Sequence, residues 1–447
     1  MIIDQLLERL ERFSGREAII WNATAYSYDW LLQEVRREQE ALSQPGIGPG
    51  AVVVLEGDGM PSACALLLAL LNNRNIVVPL LSALPEPEKA EQVTIAQGEY
   101  RIRVEASARC QVDRVGQTAT DELIQRLRRE GHPGLVLFTS GSTGASKAVL
   151  HDTERLLAKF LKAETVLRTV AFLLFDHMAG LDTLFYAFAS GSTLIGCPDR
   201  SPQAVCQLIA QTRAELLPAT PTFLRLLLLS EAWRQADLSS LKVIAYGSEP
   251  MPASTLQRLA EVFQGVQLIQ KYGMCEWGSP RSKSKSRDSL WVRLNGEGLQ
   301  TKVVNGTLWV KAESAMLGYL NAPSPFDAEG WLNTGDQVEV EGEYLRILGR
   351  KSELINVGGS KVYPAEVESV LLELDNIAGA VVTGEPHAIM GQIVVAKVSL
   401  KHAEDPEAVK HRIQQACRQR LAPYKIPVKV QVVETEPITL RFKQVRR

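Results

Sequence analysis

Between Thr139 and Lys147 the chain reads Thr-Ser-Gly-Ser-Thr-Gly-Ala-Ser-Lys. Small and hydroxyl residues ending in a lysine can turn backbone N–H groups, hydroxyls and a positive charge onto one anion. Gly141 and Gly144 would let the backbone approach a phosphate closely. Thr139, Ser140, Ser142 and Thr143 would add O–H donors, and Lys147 a charge. The run is not a P-loop. Counted from Gly141, the second required glycine is Ser146, and the required Ser or Thr after the lysine is Ala148. The chemistry expected is polyphosphate binding by another loop design.

A loop of this kind needs a rigid mount. The apolar run LVLF at 135–138 leads directly into it and is expected to be a strand. Residues 1–130 alternate short apolar strands (51–55, 76–80) with helical patterns such as LLQEVRREQEAL at 31–42. Strands are also expected at 171–175, 192–196, 214–219 and 242–247, with helical segments between them. Strands alternating with helices imply parallel sheets covered on both faces. From about 290 the pattern has period two, which suggests a small antiparallel or barrel-like unit. After Gly349 helical stretches at 363–374 and 406–421 are interleaved with strands, as in an α+β domain, and 350–352 is the best boundary.

Bulk composition narrows the function classes. The chain has 447 residues, 45% hydrophobic and 22% charged, enough to bury a sizeable core. A net charge of −2 gives no general attraction to nucleic acid or anionic membrane. The basic stretch 281–287 is expected to be a solvated loop. The six cysteines show neither a CxxC pair nor zinc-ligand spacing, so a reducing, cytoplasmic setting is expected. The N-terminal MIIDQLLERLERF is amphipathic and lacks the apolar core of a secretory signal. The longest apolar run, around 63–71, is too short for a membrane span and is expected to be a buried helix.

Further segments, in order along the chain, join the phosphate loop in resembling a known family. They are FLLFDHMAGLDT (172–183), AYGSEPMP (245–252), KYGMCEWG (271–278), WLNTGDQ (331–337), LGRKSELINVGGSKVYPAEVE (348–368) and the closing run through PITLRFK to the C-terminus. Together with LVLFTSGSTGASKAVLHD (135–152) they resemble the acyl-adenylate-forming superfamily. It comprises acyl-CoA and aryl-CoA synthetases, peptide-synthetase adenylation domains and luciferases. The compact chain is most similar to a stand-alone acyl-CoA or acyl-carrier-protein ligase.

The resemblance implies an α/β fold. A large N-terminal domain (1–350) would hold two packed α/β sheets and a small β-barrel, and a small mobile α+β domain (351–447) would cap it. It implies ATP-dependent activation of a carboxylic acid to an acyl-adenylate, then transfer to the thiol of coenzyme A or a phosphopantetheine carrier protein. Roles follow position by position. The phosphate loop, from Thr139 to Lys147, would hold ATP. Gly247, Ser248 and Glu249 would face the adenine edge, and Tyr272 would stack on the base, beside Gly273. Glu276 would bind Mg2+, Asp336 would accept from the ribose hydroxyls, and Arg350 would contact ribose and phosphate.

His177, Gly180, Thr220, Tyr246, Gly247 and Gly273 would line the acid site, His177 close to the reacting carboxylate. Ser352 would be the hinge, Gly359 would border the thiol tunnel, and Lys443 would bridge carboxylate and α-phosphate. Three positions depart from the family pattern: Cys275 for threonine, Ser352 for aspartate and Phe442 for glycine. A thiol is a weak hydrogen-bond partner, so Cys275 bears on the α-phosphate contact. With His177 at the aromatic position, Met178 falls where amino-acid-activating relatives place an aspartate, which argues against an α-amino acid. Aryl, short acyl and fatty acids stay open. So do loading of a separate carrier protein alone and a non-catalytic ATP-binding role.

Overall fold

The runs Val52–Glu56 and Ile76–Leu80 are buried along their whole length and pair in parallel. Strands covered on both faces read as continuous apolar sequence. The computed structural model describes residues 1–447 except 106, 108, 141–145, 163–164, 297, 435–437 and 446–447. In it these two strands sit inside a seven-stranded sheet, with Gly134–Ser140 and Ser146–Asp152 toward one side and Tyr100–Val104 toward the other. A second seven-stranded sheet runs Gln267–Gln270, Val243–Tyr246, Leu216–Ala219, Thr169–Ala171, Leu194–Gly196, Glu17–Trp21 and Thr24–Ser27.

One apolar core joins residues of both sheets with the helices Pro61–Asn72 and Met178–Ser190. The first helix is buried at every position from Pro61 to Leu71, as its unbroken apolar run requires. The helix Met178–Ser190 begins at His177, whose Nδ1 accepts from the Ala179 amide, and stops at Gly191 with φ +70°. Beyond it lies a six-stranded antiparallel sheet, whose path runs from Arg281–Ser284 to Leu299–Val304 through Trp291–Asn295, Tyr344–Arg350, Leu332–Glu341 and Thr307–Ala312. The C-terminal elements close a separate core, in which Val367, Leu371, Val409, Ile413 and Cys417 from two helices cover a five-stranded sheet.

Two sequence expectations need correction. The strand expected at 171–175 is Thr169–Ala171, because the chain leaves the sheet there. The first turn of the next helix packs on the carbonyls of Leu173 and Leu174. The basic stretch is loop only in its second half: Arg281–Ser284 pairs with Trp291–Asn295 as an edge strand, and 285–287 turn away from it. Ser282 Oγ donates to Gln270 O, Gln270 N donates to Ser284 Oγ, and the intervening lysine blunts the edge. No described helix is long and apolar enough to cross a membrane.

Candidate active site

Parallel strands place their C-terminal ends, and the loops after them, around one crevice. Here a cavity of about 1290 Å³ is lined by Thr139, Lys147, His177, Tyr246, Gly247, Ser248, Gly273, Cys275, Glu276, Arg350 and Lys443, among others. Eleven residues expected to act on ATP or acid therefore share one space, although they span 139 to 443 in the chain. Two glycines are explained by close packing at its wall. A Cβ on Gly247 would lie 2.4 Å from Lys271 O, and one on Gly273 would lie 2.4 Å from Gly278 O.

At the anion-binding end, Glu276 accepts a hydrogen bond from Tyr319 Oη at 2.8 Å. Lys147 Nζ sits 5.0 Å from the centre of the same tyrosine ring. A carboxylate oriented this way at the cavity wall, beside a lysine and the Thr139 hydroxyl, has the donor chemistry for a hard divalent cation with phosphate. Nearby, Asp336 accepts from Tyr272 Oη at 2.6 Å and lies 3.4 Å from Arg350 Nε. Burial pushes the Asp336 carboxyl above its ordinary range, opposed by Tyr272 and Arg350. Asp336, Tyr272 and Arg350 thus form one linked polar group, of which Arg350 alone is among the residues that line the cavity. Cys275 is buried, and burial holds its thiol far above its ordinary pKa, so it stays neutral. Its carbonyl accepts from His151 Nε2 at 2.6 Å, which fixes the backbone at this position.

Lys443 enters on a short hairpin. Ile438 and Gln444 bridge across it, Thr439 N donates to Lys443 O, and Phe442 N donates to Thr439 O. Lys443 Nζ stands 3.4 Å from His177 Nε2. With the Ala179 amide donating to Nδ1, the proton of the neutral ring lies on Nε2, so Nε2–H and the Lys443 ammonium are two donors side by side, the arrangement that suits an anion between them. Burial drives the His177 pKa well below its ordinary value, with Lys443 and Arg441 adding to the effect. Burial likewise lowers the Lys443 pKa to about 8, Glu249 opposing and Arg441 and Arg350 assisting.

Several side chains tie the hairpin down. Arg441 pairs with buried Asp176 at 2.5 Å, Arg200 donates to Leu440 O at 2.8 Å, and Thr220 Oγ1 donates to Phe442 O at 2.7 Å. Phe442 has φ +52°, a left-handed backbone. That conformation costs a non-glycine residue about 1 kcal/mol. Its ring packs 5.5 Å from Phe172 and 5.6 Å from Phe223, beneath the Arg200 guanidinium at 5.3 Å. Partial burial of a phenyl ring contributes about 1.5 kcal/mol and exceeds the strain.

The cavity continues away from the lysine along one face of three strands. Leu216, Val243 and Gln267 form one row, and Pro218, Ala245 and Ile269 the next. From Gly247 to Val243 the floor runs about 13 Å at strand rise. Met178, Thr183 and Tyr186 form the facing wall. Leu167, Leu216 and Ala245 cluster with Tyr186 and Val243, so this arm is apolar at its centre. Exposed Ser239, Lys242, Gly265 and Gln267 stand at its far end, where it opens to solvent. Met178 lines this arm, while Asp176 turns away to Arg441.

Some expected site residues are placed elsewhere. Gly180 is buried under the chain: a Cβ there would lie 2.0 Å from Leu174 O, so its task is to let the helix approach. Thr220 caps the helix Pro221–Ser230 and holds Phe442, instead of walling the acid. Glu249 accepts from the amides of Thr222 at 2.7 Å and Gln444 at 3.1 Å, so its carboxylate ties the hairpin instead of an adenine edge. Ser352 lies in the short turn Lys351–Glu353. Gly359 follows Gly358 in a turn where both have positive φ, and its amide donates to Asn356 Oδ1. Gly141, Ser142, Thr143 and Gly144 lie outside the described residues, as does Pro437, and Ser140 is described for its backbone alone.

Sequence reading missed Tyr319, Asp176 and Arg441. The run at 317–320 looks like a short strand, and nothing in its spacing marks the Tyr319 hydroxyl. Arg441 and Asp176 are 265 positions apart, so their pairing has no local signature.

Comparison with known proteins identifies the family and the fold. The model described as AMP-binding enzyme matches residues 6–320, and that described as AMP-binding enzyme C-terminal domain matches 366–443. A long-chain-fatty-acid–CoA ligase, FadD13, of Mycobacterium tuberculosis is 27% identical, covering 89% of this chain and 87% of its own. An indoleacetate–CoA ligase of Aromatoleum aromaticum is 27% identical, covering 97% of this chain and 95% of its own. Among solved structures, the anthranilate CoA ligase AuaEII in complex with anthranoyl-AMP has a TM-score of 0.84. It is 21% identical over 99% of this chain and 95% of its own, a likeness of fold.

Proposed function

The chain belongs to the AMP-binding enzyme family, and from that premise we propose that it joins a carboxylic acid to AMP from ATP, releasing pyrophosphate, and passes the acyl group to a thiol. The observation that carries this reading is Lys443 Nζ, held beside His177 in the cavity that Lys147, Glu276 and Arg350 also line.

A carboxylate attacking the α-phosphate brings two anions together, so the reaction needs fixed cations and donors more than a base. Lys443 as an ammonium would bridge the carboxylate oxygen and the α-phosphate. Lys147 and the Thr139 hydroxyl would hold the leaving phosphates, and Asp336 and Arg350 the ribose. Glu276, oriented by Tyr319, fits Mg2+, which when bound would neutralise the pyrophosphate. His177 would present Nε2–H to the acid carboxylate as a neutral donor.

The second half-reaction needs Lys443 withdrawn, through a turn of the C-terminal unit about Ser352 that brings Gly359 toward the cavity. Coenzyme A is the acceptor favoured, since the relatives are named as CoA ligases. A carrier phosphopantetheine offers the same thiol. For the acid, the apolar arm floored by Leu216, Val243 and Ala245 favours an aryl or longer acyl group over a short one.

The test is pyrophosphate release from ATP and magnesium with pools of aryl, short-chain, fatty and amino acids. Release with an aryl or fatty pool, increased by coenzyme A, is expected. Tight ATP binding without release from any pool would contradict the reading.

A further inference from the structure

We propose that Phe442 and its neighbours form a clasp that holds the Lys443 hairpin in its adenylating position, making Phe442 a positioning residue that acts through Lys443. This rests on the assignment of Lys443 to the adenylation step. Three observations carry it. First, Phe442 takes a left-handed backbone with φ +52°. Side chains rarely adopt that conformation unless their surroundings compensate. Second, the compensation comes from the N-terminal part of the chain. The ring lies against Phe172 and Phe223 and under Arg200, and the Phe442 carbonyl accepts from Thr220. Third, three contacts on either side have the same origin, Arg441 to Asp176, Leu440 O to Arg200, and the Gln444 amide to Glu249, while the Gln444 side chain donates to Ala380 O within the C-terminal unit.

All but the last of these contacts lie between the hairpin and elements that would stay still if the C-terminal unit turned. Of the residues in these contacts, only Arg441 and Gln444 line the cavity. The contacts favour one position of Lys443 over its withdrawal, and so divide the enzyme's time between two half-reactions. Glycine at 442 would keep the backbone turn and lose the ring.

The discriminating experiment measures both half-reactions in Phe442→Gly, Phe442→Ala, Lys443→Ala and the unaltered full chain. Adenylation is read as single-turnover pyrophosphate release with decanoate or benzoate. Thiolation is read as coenzyme A ester formation from synthetic decanoyl- or benzoyl-adenylate. In Phe442→Gly adenylation should fall about twofold, because losing the ring contact is mostly offset by release of the backbone strain, whereas in Phe442→Ala it should fall about tenfold. Thiolation should be unchanged or faster. Phe442→Ala, which keeps the strain and loses the ring, should adenylate more slowly than Phe442→Gly.

Equal loss in both half-reactions, or an unchanged ratio between them, would overturn the clasp. Lys443→Ala separates this from failure of the underlying reading. If it adenylates as well as the unaltered chain, the assignment of Lys443 falls and the clasp with it. If it is silent in adenylation while the Phe442 variants keep the normal ratio, the clasp alone falls.

Discussion

Adenylation should have a high-pH limb set by Lys443. Burial among Arg441 and Arg350 lowers its pKa to about 8 from an ordinary 10.5. The ammonium is the useful form, because the two reacting groups are both anions. Raising the pH through the folded-state pKa therefore removes the charge and the rate with it. At pH 9 about one enzyme in ten would keep the ammonium, and each further unit costs about tenfold in kcat/KM. A lysine at its ordinary pKa would hold the plateau to about pH 10. The assay is acid-dependent pyrophosphate release at low ATP without thiol, from pH 6.5 to 10, which keeps thiol ionisation out of the profile. Lys443→Arg stays charged throughout, so whatever activity it retains should not fall across this window. A plateau reaching pH 10 in the unaltered protein, or the same fall in Lys443→Arg, would refute the argument that a buried ammonium governs the limb.

Other perturbations follow from single contacts. Glu276→Gln should raise the magnesium concentration needed for half-maximal adenylation at least tenfold, and an unaltered titration would count against it as a ligand. Cys275→Thr restores a hydroxyl donor in nearly the same volume and should raise kcat/KM for ATP about threefold to tenfold, the worth of one hydrogen bond. No change there would mean that Cys275 does not face the phosphate. Gly180→Ala places a Cβ about where the Leu174 carbonyl stands, 2.0 Å away. Thermal unfolding should report a loss of about 2 kcal/mol or more, and a variant as stable as the parent would show that the helix start has room.

Much of the fold could be read from periodicity. The continuous apolar runs at Val52–Glu56 and Ile76–Leu80 and the helix Pro61–Asn72 needed no tertiary knowledge, since full burial leaves no polar face. The edge strand Arg281–Ser284 was illegible because lysine and serine alternate there without an apolar face. Its ladder partner is Trp291–Asn295 and its serine hydroxyls bond Gln270, neither of which composition announces. Within the site, motif residues such as Lys147, Glu276 and Lys443 were found because their types carry charge that the chemistry demands, and they share the cavity. Gly180 and Thr220 were put on the acid by proximity in sequence. Packing put one under Leu174 and the other under Phe442. Asp176, Arg441 and the Phe442 ring became visible only when distant segments met.

The most direct test of the account compares Lys443→Ala with the unaltered chain in pyrophosphate release with the acid pool that supports it, alongside ATP binding. The expected result is ATP affinity within a few-fold of normal and adenylation lowered about 10²–10³-fold, the usual loss for one preorganised charge. Adenylation at the normal rate with ATP bound would contradict the central claim that this lysine, carried into the cavity beside His177, drives the joining of acid to AMP.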